Sequence, residues 1–207
     1  MKNRPRDKKA GIIILAALII ISLAEVVLRS VILKEAMFNI ANAGEPIITA
    51  VLSVLLLIFA LKGKERVFYI LCGMWLGYFV INQLYGLPVM IADTIERYNA
   101  GSLHTATCNL VHALSMIGIV AIGALVLEYM NDGSIYNKAF NILCVITVVL
   151  LLLLAIDNIV YDVLTLGRTE VILGSLHNLS RVAMVFLFVF FAYDSAKMQL
   201  EKTNLSK

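Results

Sequence analysis

Four side chains able to carry charge or exchange hydrogen bonds sit together late in the chain, Asp157, Asn158, Tyr161 and Asp162. Their spacing puts all four on one helical face. Two carboxylates, an amide and a phenol on one face can hold a polar solute or pair with a cation. Arg181 is the natural cation. It and Asp157 lie equally far from Thr169, so a helical hairpin turning at Thr169 brings them level as an intramembrane ion pair. Such a pair either lines a ligand site or fixes the register of two helices.

A second pattern is the stripe His104, Cys108, His112 and Ser115, whose beginning returns as His177 and Arg181. Imidazole and thiolate on one face are ligands for a transition metal or a haem, which makes His104, Cys108, His112 and His177 the metal candidates. No HExxH spacing or second carboxylate supports them, and the stronger reading has His104 and His177 capping helices against headgroups or water. Glu25 and Arg29, four residues apart, can pair on one helix, with Arg29 reaching for the interface. Asn82, Gln83 and Tyr85 lie at a similar depth, either toward a ligand or bonded between helices. The candidate ligand-binding residues are therefore Asp157, Asn158, Tyr161, Asp162, Arg181, Asn82, Gln83, Tyr85, His112 and Glu25.

No GxSxG, P-loop, GxGxxG or clustered-cysteine motif is present, so no catalytic residue and no cofactor is assigned. A hydrolase built on Asp157 and His112 lacks a serine or second aspartate at a supporting spacing. A non-enzymatic role is the favoured reading.

The elements that must position these groups are membrane helices. The chain has 207 residues, 61% hydrophobic and 15% charged, with a mean hydropathy of +0.91; a soluble domain is closer to 25% charged. The segment from Ala139 to Asp162 opens with eighteen residues free of charge, and about twenty apolar residues cross a bilayer. The net charge of +3 is too small to suggest nucleic acid, and the basic residues read better as topology signals. Cys72, Cys108 and Cys144 fall in apolar runs without a CxxC pair and read as buried thiols.

The expected fold is all-α, a polytopic membrane protein of six helices arranged as three hairpins. A basic tail over 1–9 precedes spans at about 10–33, 46–61, 67–91, 104–127, 139–162 and 173–193, and a polar tail covers 194–207. Ser22 and Ala24 would suit a signal-peptide cleavage before Glu25, but the apolar run continues past that point. Pro46 belongs near the first position of the second helix, with Glu45 at its positive end. Pro88 should kink or stop the third, leaving Asp93, Glu96 and Arg97 in a short loop. Asn131 to Ser134 reads as a turn. Gly73 and Gly77 form a small-xxx-small face for close packing or a homo-oligomer.

With a cytoplasmic amino terminus, twelve basic residues fall on the inner side and five, Arg29, Lys34, Arg97, Arg168 and Arg181, at the outer ends. The positive-inside rule then places both termini in the cytoplasm of a cell membrane protein. An internal repeat is suggested by Phe68 to Cys72 with Phe140 to Cys144, and by Gly101 to His104 with Gly174 to His177. The third and fourth helices would then duplicate as the fifth and sixth, with a fainter third copy in the first hairpin.

Beyond the sixth span, Ala196, Met198, Leu200 and Leu205 make an amphipathic extension that resembles the linkers following membrane sensor modules of bacterial signalling proteins. That resemblance implies a protein partner at the cytoplasmic tail and an unidentified small ligand in an outward-facing pocket. Six helices with cytoplasmic termini are also similar to vitamin-capturing subunits of energy-coupled importers. Their alanine-rich docking face is missing beyond Ala10, Ala16 and Ala17. The sensor-type module is the first reading, a solute transporter or capture subunit the alternative, and a structural scaffold in the lipid bilayer the third.

Overall fold

A computed structural model of the chain describes residues 8–32, 40–63, 65–132, 138–165 and 171–205. The fold is all-α: α1 (Lys8–Ile32), α2 (Ile40–Leu61), α3 (Glu65–Asn99), α4 (Leu103–Asp132), α5 (Lys138–Asp157) and α6 (Ile172–Leu205), with α5 continued by a π-helical segment, Asn158–Thr165. All six α-helices are long and apolar enough to cross a bilayer, and backbone groups in lipid must be satisfied within such helices. The chain is a multi-pass helical membrane protein. α1 packs on α2 and α6, α3 on α4, α4 on α5 and α5 on α6, with a smaller contact between α2 and α3. The helices thus form a ring in chain order that α6 closes onto α1. α6 also touches α3 and α4 and is the most buried of the spans.

Small residues set how closely the helices approach. A Cβ on Gly118 would stand only 2.2 Å from Oγ1 of Thr147, and one on Gly123 only 2.3 Å from a Val80 methyl. Without these glycines α4 could not sit so near α5 and α3. Gly77 is different: nothing lies within 4 Å of a Cβ placed there, so a side chain at this position would enter open space. Ile13, Ile20, Val31, Met74, Ile81 and Val145 are exposed on the outside, as residues against acyl chains should be.

The end of α3 and the start of α2 differ from the sequence expectation. α3 does not stop near Ile91: it passes Pro88 and ends at Asn99, so Asp93, Glu96 and Arg97 form its last turns rather than a loop. A proline removes one intrahelical bond, and packing along α4 carries the helix through. α3 ends at Gly101 with φ 77°, where the Ser102 and Gly101 amides return to the Arg97 and Tyr98 carbonyls at 3.0 Å. This is a Schellman stop that needs glycine, and it starts α4 two residues later. α2 begins at Ile40, ahead of Pro46. The expected turn at Asn131 to Ser134 and the connection Gly167 to Glu170 lie wholly or partly outside the described residues.

The interior changes character with depth. Toward the end of the bundle that carries the two termini it is apolar: Leu15 and Leu18 of α1, Leu56 of α2, Trp75 and Phe79 of α3, Ile119 and Ile122 of α4, Phe140 of α5 and Phe188 of α6 are all buried. Toward the opposite end the same helical faces carry Ser22 and Glu25, Thr49 and Ser53, Ser115, and Asn178 and Arg181, also buried. Spacings of three and four keep each polar residue on the face that its apolar neighbours bury.

Candidate functional site

Two polar clusters occupy that second half. The inner one joins α1, α2, α4 and α6. Arg29 donates to Oε1 of Glu25 through Nη2 at 2.8 Å and Nε at 3.2 Å. His177 lies between two carboxylates, with Nδ1 at 3.7 Å from Oε1 of Glu25 and Nε2 at 3.8 Å from Oε1 of Glu45. Arg181, one turn further along α6, donates from Nη1 to Nε2 of His112 on α4 and lies in the electrostatic reach of Glu45 and Glu25. Serving as acceptor, His112 must carry its proton on Nδ1. Ser115 Oγ donates to the His112 carbonyl at 2.7 Å.

Several buried groups here have no hydrogen-bond partner among the described residues. Glu25 is fully buried and Arg181 is 7% exposed, yet Glu25 Oε2 and Arg181 Nε remain unbonded, as do the hydroxyls of Ser22 and Ser53. Deeper on α3 Gln83 is fully buried with both amide atoms unbonded. Each such group costs about 1–3 kcal/mol where nothing else meets it.

The outer cluster joins α4 to the end of α5. His104 Nε2 donates to Oδ1 of Asp157 at 3.1 Å, and the Cys108 thiol donates to Oδ2 at 3.1 Å. Cys108 Sγ is 3.9 Å from His104 Nε2. Tyr161, one turn into the π-helical segment, stacks on the His104 ring with centroids 3.7 Å apart. On the same rim Asn109 Nδ2 donates to Asp93 Oδ2, and Arg97 lies 3.4 Å from Asp93.

The expected pair of Asp157 with Arg181 is not formed. Asp157 is held by His104 and Cys108, Arg181 by His112. The register of α5 on α6 explains the difference. Ser175 Oγ donates to the Ala155 carbonyl at 3.0 Å, and a Cβ on Gly174 would lie 2.9 Å from the Asn158 amide. Asp157 is therefore level with Gly174 and Ser175, and Arg181 lies about two turns deeper, roughly 10 Å at the α-helical rise. The contacts of α5 with α6 are thus not symmetric about Thr169, which itself lies outside the described residues.

Of the other candidates, the expected pair of Glu25 with Arg29 is present. Asn158 packs over Gly174 through its amide, and the side chain of Asp162 lies outside the described residues. Gln83 points inward, whereas Tyr85, two residues on, is 83% exposed on the outside: a step of two turns a helical residue about 200°. The histidine stripe of α4 divides, with His104 and Cys108 in the outer cluster and His112 in the inner one. Glu45 was read only as a favourable helix-end charge, yet it forms one wall of the inner cluster. Its signal was the run Glu45, Thr49, Ser53 and Leu56 at spacings of four, four and three. The second Gly-Ser-Leu-His lies inside α6, whereas the first spans the turn into α4.

No protein-family model, curated protein or solved structure matches the chain.

Proposed function

We propose that the inner cluster binds a small polar molecule, and that the protein is a ligand-binding membrane module acting with a partner. One observation carries this reading: two buried charged side chains from different helices, Glu25 and Arg181, each keep one polar atom without a partner among the described residues. In a membrane interior such atoms are costly unless water or a solute meets them. Glu25 Oε2 accepts and Arg181 Nε donates, so the fitting solute offers a hydrogen-bond donor at one end and an acceptor or anionic group at the other. Small zwitterions of the amino-acid type have that chemistry. His112, His177 and Glu45 would complete the lining, and Asp157, Asn158, Tyr161 and Asp162 would stand above it.

The partner follows from α6. It carries His177 and Arg181, touches α1, α3, α4 and α5, and runs on as helix to Leu205. A solute drawing on Arg181 acts on the helix that leaves the bundle. The basic-residue distribution supports a cell membrane protein with both termini in the cytoplasm and the ligand on the outer side. A solute transporter is the second reading, favoured by Ser53 and Gln83, whose unbonded atoms continue the polar groups deeper. The repeated sequence pairs fit either reading as a duplicated hairpin.

Thermal unfolding in detergent tests the proposal. Wild-type protein, Glu25→Gln and Arg181→Lys are melted with and without amino acids, carboxylates and amines of up to about ten heavy atoms. A solute that raises the wild-type melting temperature and not that of either variant supports the site. A wild type insensitive to the whole panel, or shifts shared by both variants, removes its basis.

A further inference from the structure

The outer cluster points to a second site with different chemistry. We infer that His104, Cys108 and Asp157 form a site for one divalent transition metal of the zinc type. One nitrogen, one sulfur and one carboxylate oxygen, a donor from each residue, lie within 4.8 Å of one another. The donors come from both sides of the α4–α5 interface and are not neighbours of convenience on one helix.

The spacing suits coordination. In a tetrahedral zinc site with bonds of about 2.0–2.3 Å, any two ligand atoms stand roughly 3.3–3.6 Å apart. His104 Nε2 lies 3.1 Å from Oδ1 of Asp157, Cys108 Sγ lies 3.1 Å from Oδ2, and Sγ and Nε2 are 3.9 Å apart. The two carboxylate contacts end on different oxygens, so a rotation of the Asp157 carboxylate is needed for one oxygen to serve the ion, starting from three donors already within 4.8 Å of one another. Two independent features hold the ligands. The ring of Tyr161 lies flat on His104 and fixes the imidazole plane. Asp157 is the last residue of α5 before the helix widens into the π form, a local change often found at functional sites.

The donor set selects the metal. A mixed imidazole, thiolate and carboxylate set suits zinc, cobalt or nickel and is poor for magnesium or calcium, which take oxygen. Binding breaks the Cys108 S–H bond and forms a metal–sulfur bond, with the proton leaving to water and the metal keeping its oxidation state. The three protein ligands leave a fourth position. His104 and Asp157 are 39% and 33% exposed, so that position opens on the aqueous end of the bundle, where water completes the shell. The site would clamp α4 to α5 just where α5 changes its pitch. It does not depend on the inner solute site.

Cobalt(II) titration of the purified full chain in detergent is the test. The expected result is one cobalt per chain, with the intense visible bands of a tetrahedral ion and a thiolate-to-cobalt charge-transfer band, both erased by stoichiometric zinc. Cys108→Ser should lose the charge-transfer band, and Asp157→Asn should weaken binding at least tenfold. A band that persists in Cys108→Ser, or none in wild type at millimolar cobalt, overturns the proposal. Wild-type protein supplies a readout independent of variant folding: zinc should slow maleimide labelling of Cys108, followed by peptide mass analysis, at least tenfold. Labelling unchanged by zinc would overturn it equally.

Discussion

Arg181 Nη1 and His112 Nε2 meet across the interface of α4 and α6, from residues 69 positions apart in the chain. The arginine is buried, and its Nη1 donates a hydrogen bond to this neutral imidazole. His112→Leu therefore strands a guanidinium and should destabilise the protein by about 3 kcal/mol, the lower end of the range for an uncompensated buried charge. The double variant with Arg181→Met should recover most of that loss. Arg181→Met and Asp157→Asn, by contrast, lie about 10 Å apart in depth and should add to within about 0.5 kcal/mol. Denaturation cycles in mixed micelles measure both, and a strong coupling of Arg181 to Asp157 would contradict the register described here.

Glu25 and Arg29 are unequal partners. The glutamate side chain is fully buried, while that of Arg29 is 23% exposed and can turn toward water along its aliphatic stem. Removing the arginine leaves a carboxylate with nowhere to go; removing the carboxylate charge leaves an arginine that can reach solvent. Arg29→Met should accordingly cost about 3 kcal/mol and Glu25→Gln about 1 kcal/mol. The order of the two melting temperatures decides the point, and the reverse order would place Glu25 in contact with water.

What could be read from residue order alone followed the range of the interaction. Six spans are visible because eighteen or more apolar residues have few other uses, and Glu25 with Arg29 is visible because i to i+4 geometry is local. The partner of Asp157 was not legible. It depends on how far α5 advances along α6, and that register differs from the symmetric one by about two turns. Pro88 misled for a related reason: its local cost is real, but packing along α4 outweighs it. His112 and Arg181 were each recognised as polar residues inside the membrane, and their meeting is a fact of tertiary packing. Cys108, read as a buried thiol or a stripe member, gained its role only when α5 brought Asp157 beside it.

Gly118 and Gly77 should respond oppositely to the same substitution. A Cβ on Gly118 enters the space of Thr147, with Oγ1 at 2.2 Å and Cβ at 3.2 Å. Gly118→Ala should cost about 1–3 kcal/mol through overpacking, and adding Thr147→Ala should return most of it. Gly77→Ala meets nothing within 4 Å and should change stability by less than about 0.5 kcal/mol. If Gly77→Ala lowers stability only at high protein-to-detergent ratios, its face is a contact between copies of the chain.

Gln83 tests whether the polar half of the interior is retained for binding rather than for folding. Its amide is fully buried at mid-depth on α3, with neither Nε2 nor Oε1 bonded to any described residue. Leucine has nearly the same volume and leaves no polar atom to satisfy, so Gln83→Leu should raise the unfolding free energy of the solute-free protein by about 1 kcal/mol. If the polar groups extend a path for solute from Glu25 and Arg181, the same variant should bind with unchanged affinity but release or pass the solute more slowly. Equilibrium melting and stopped-flow exchange separate the two effects. A variant that melts lower than wild type would show that Gln83 is satisfied by ordered water and belongs to the structure of the bundle.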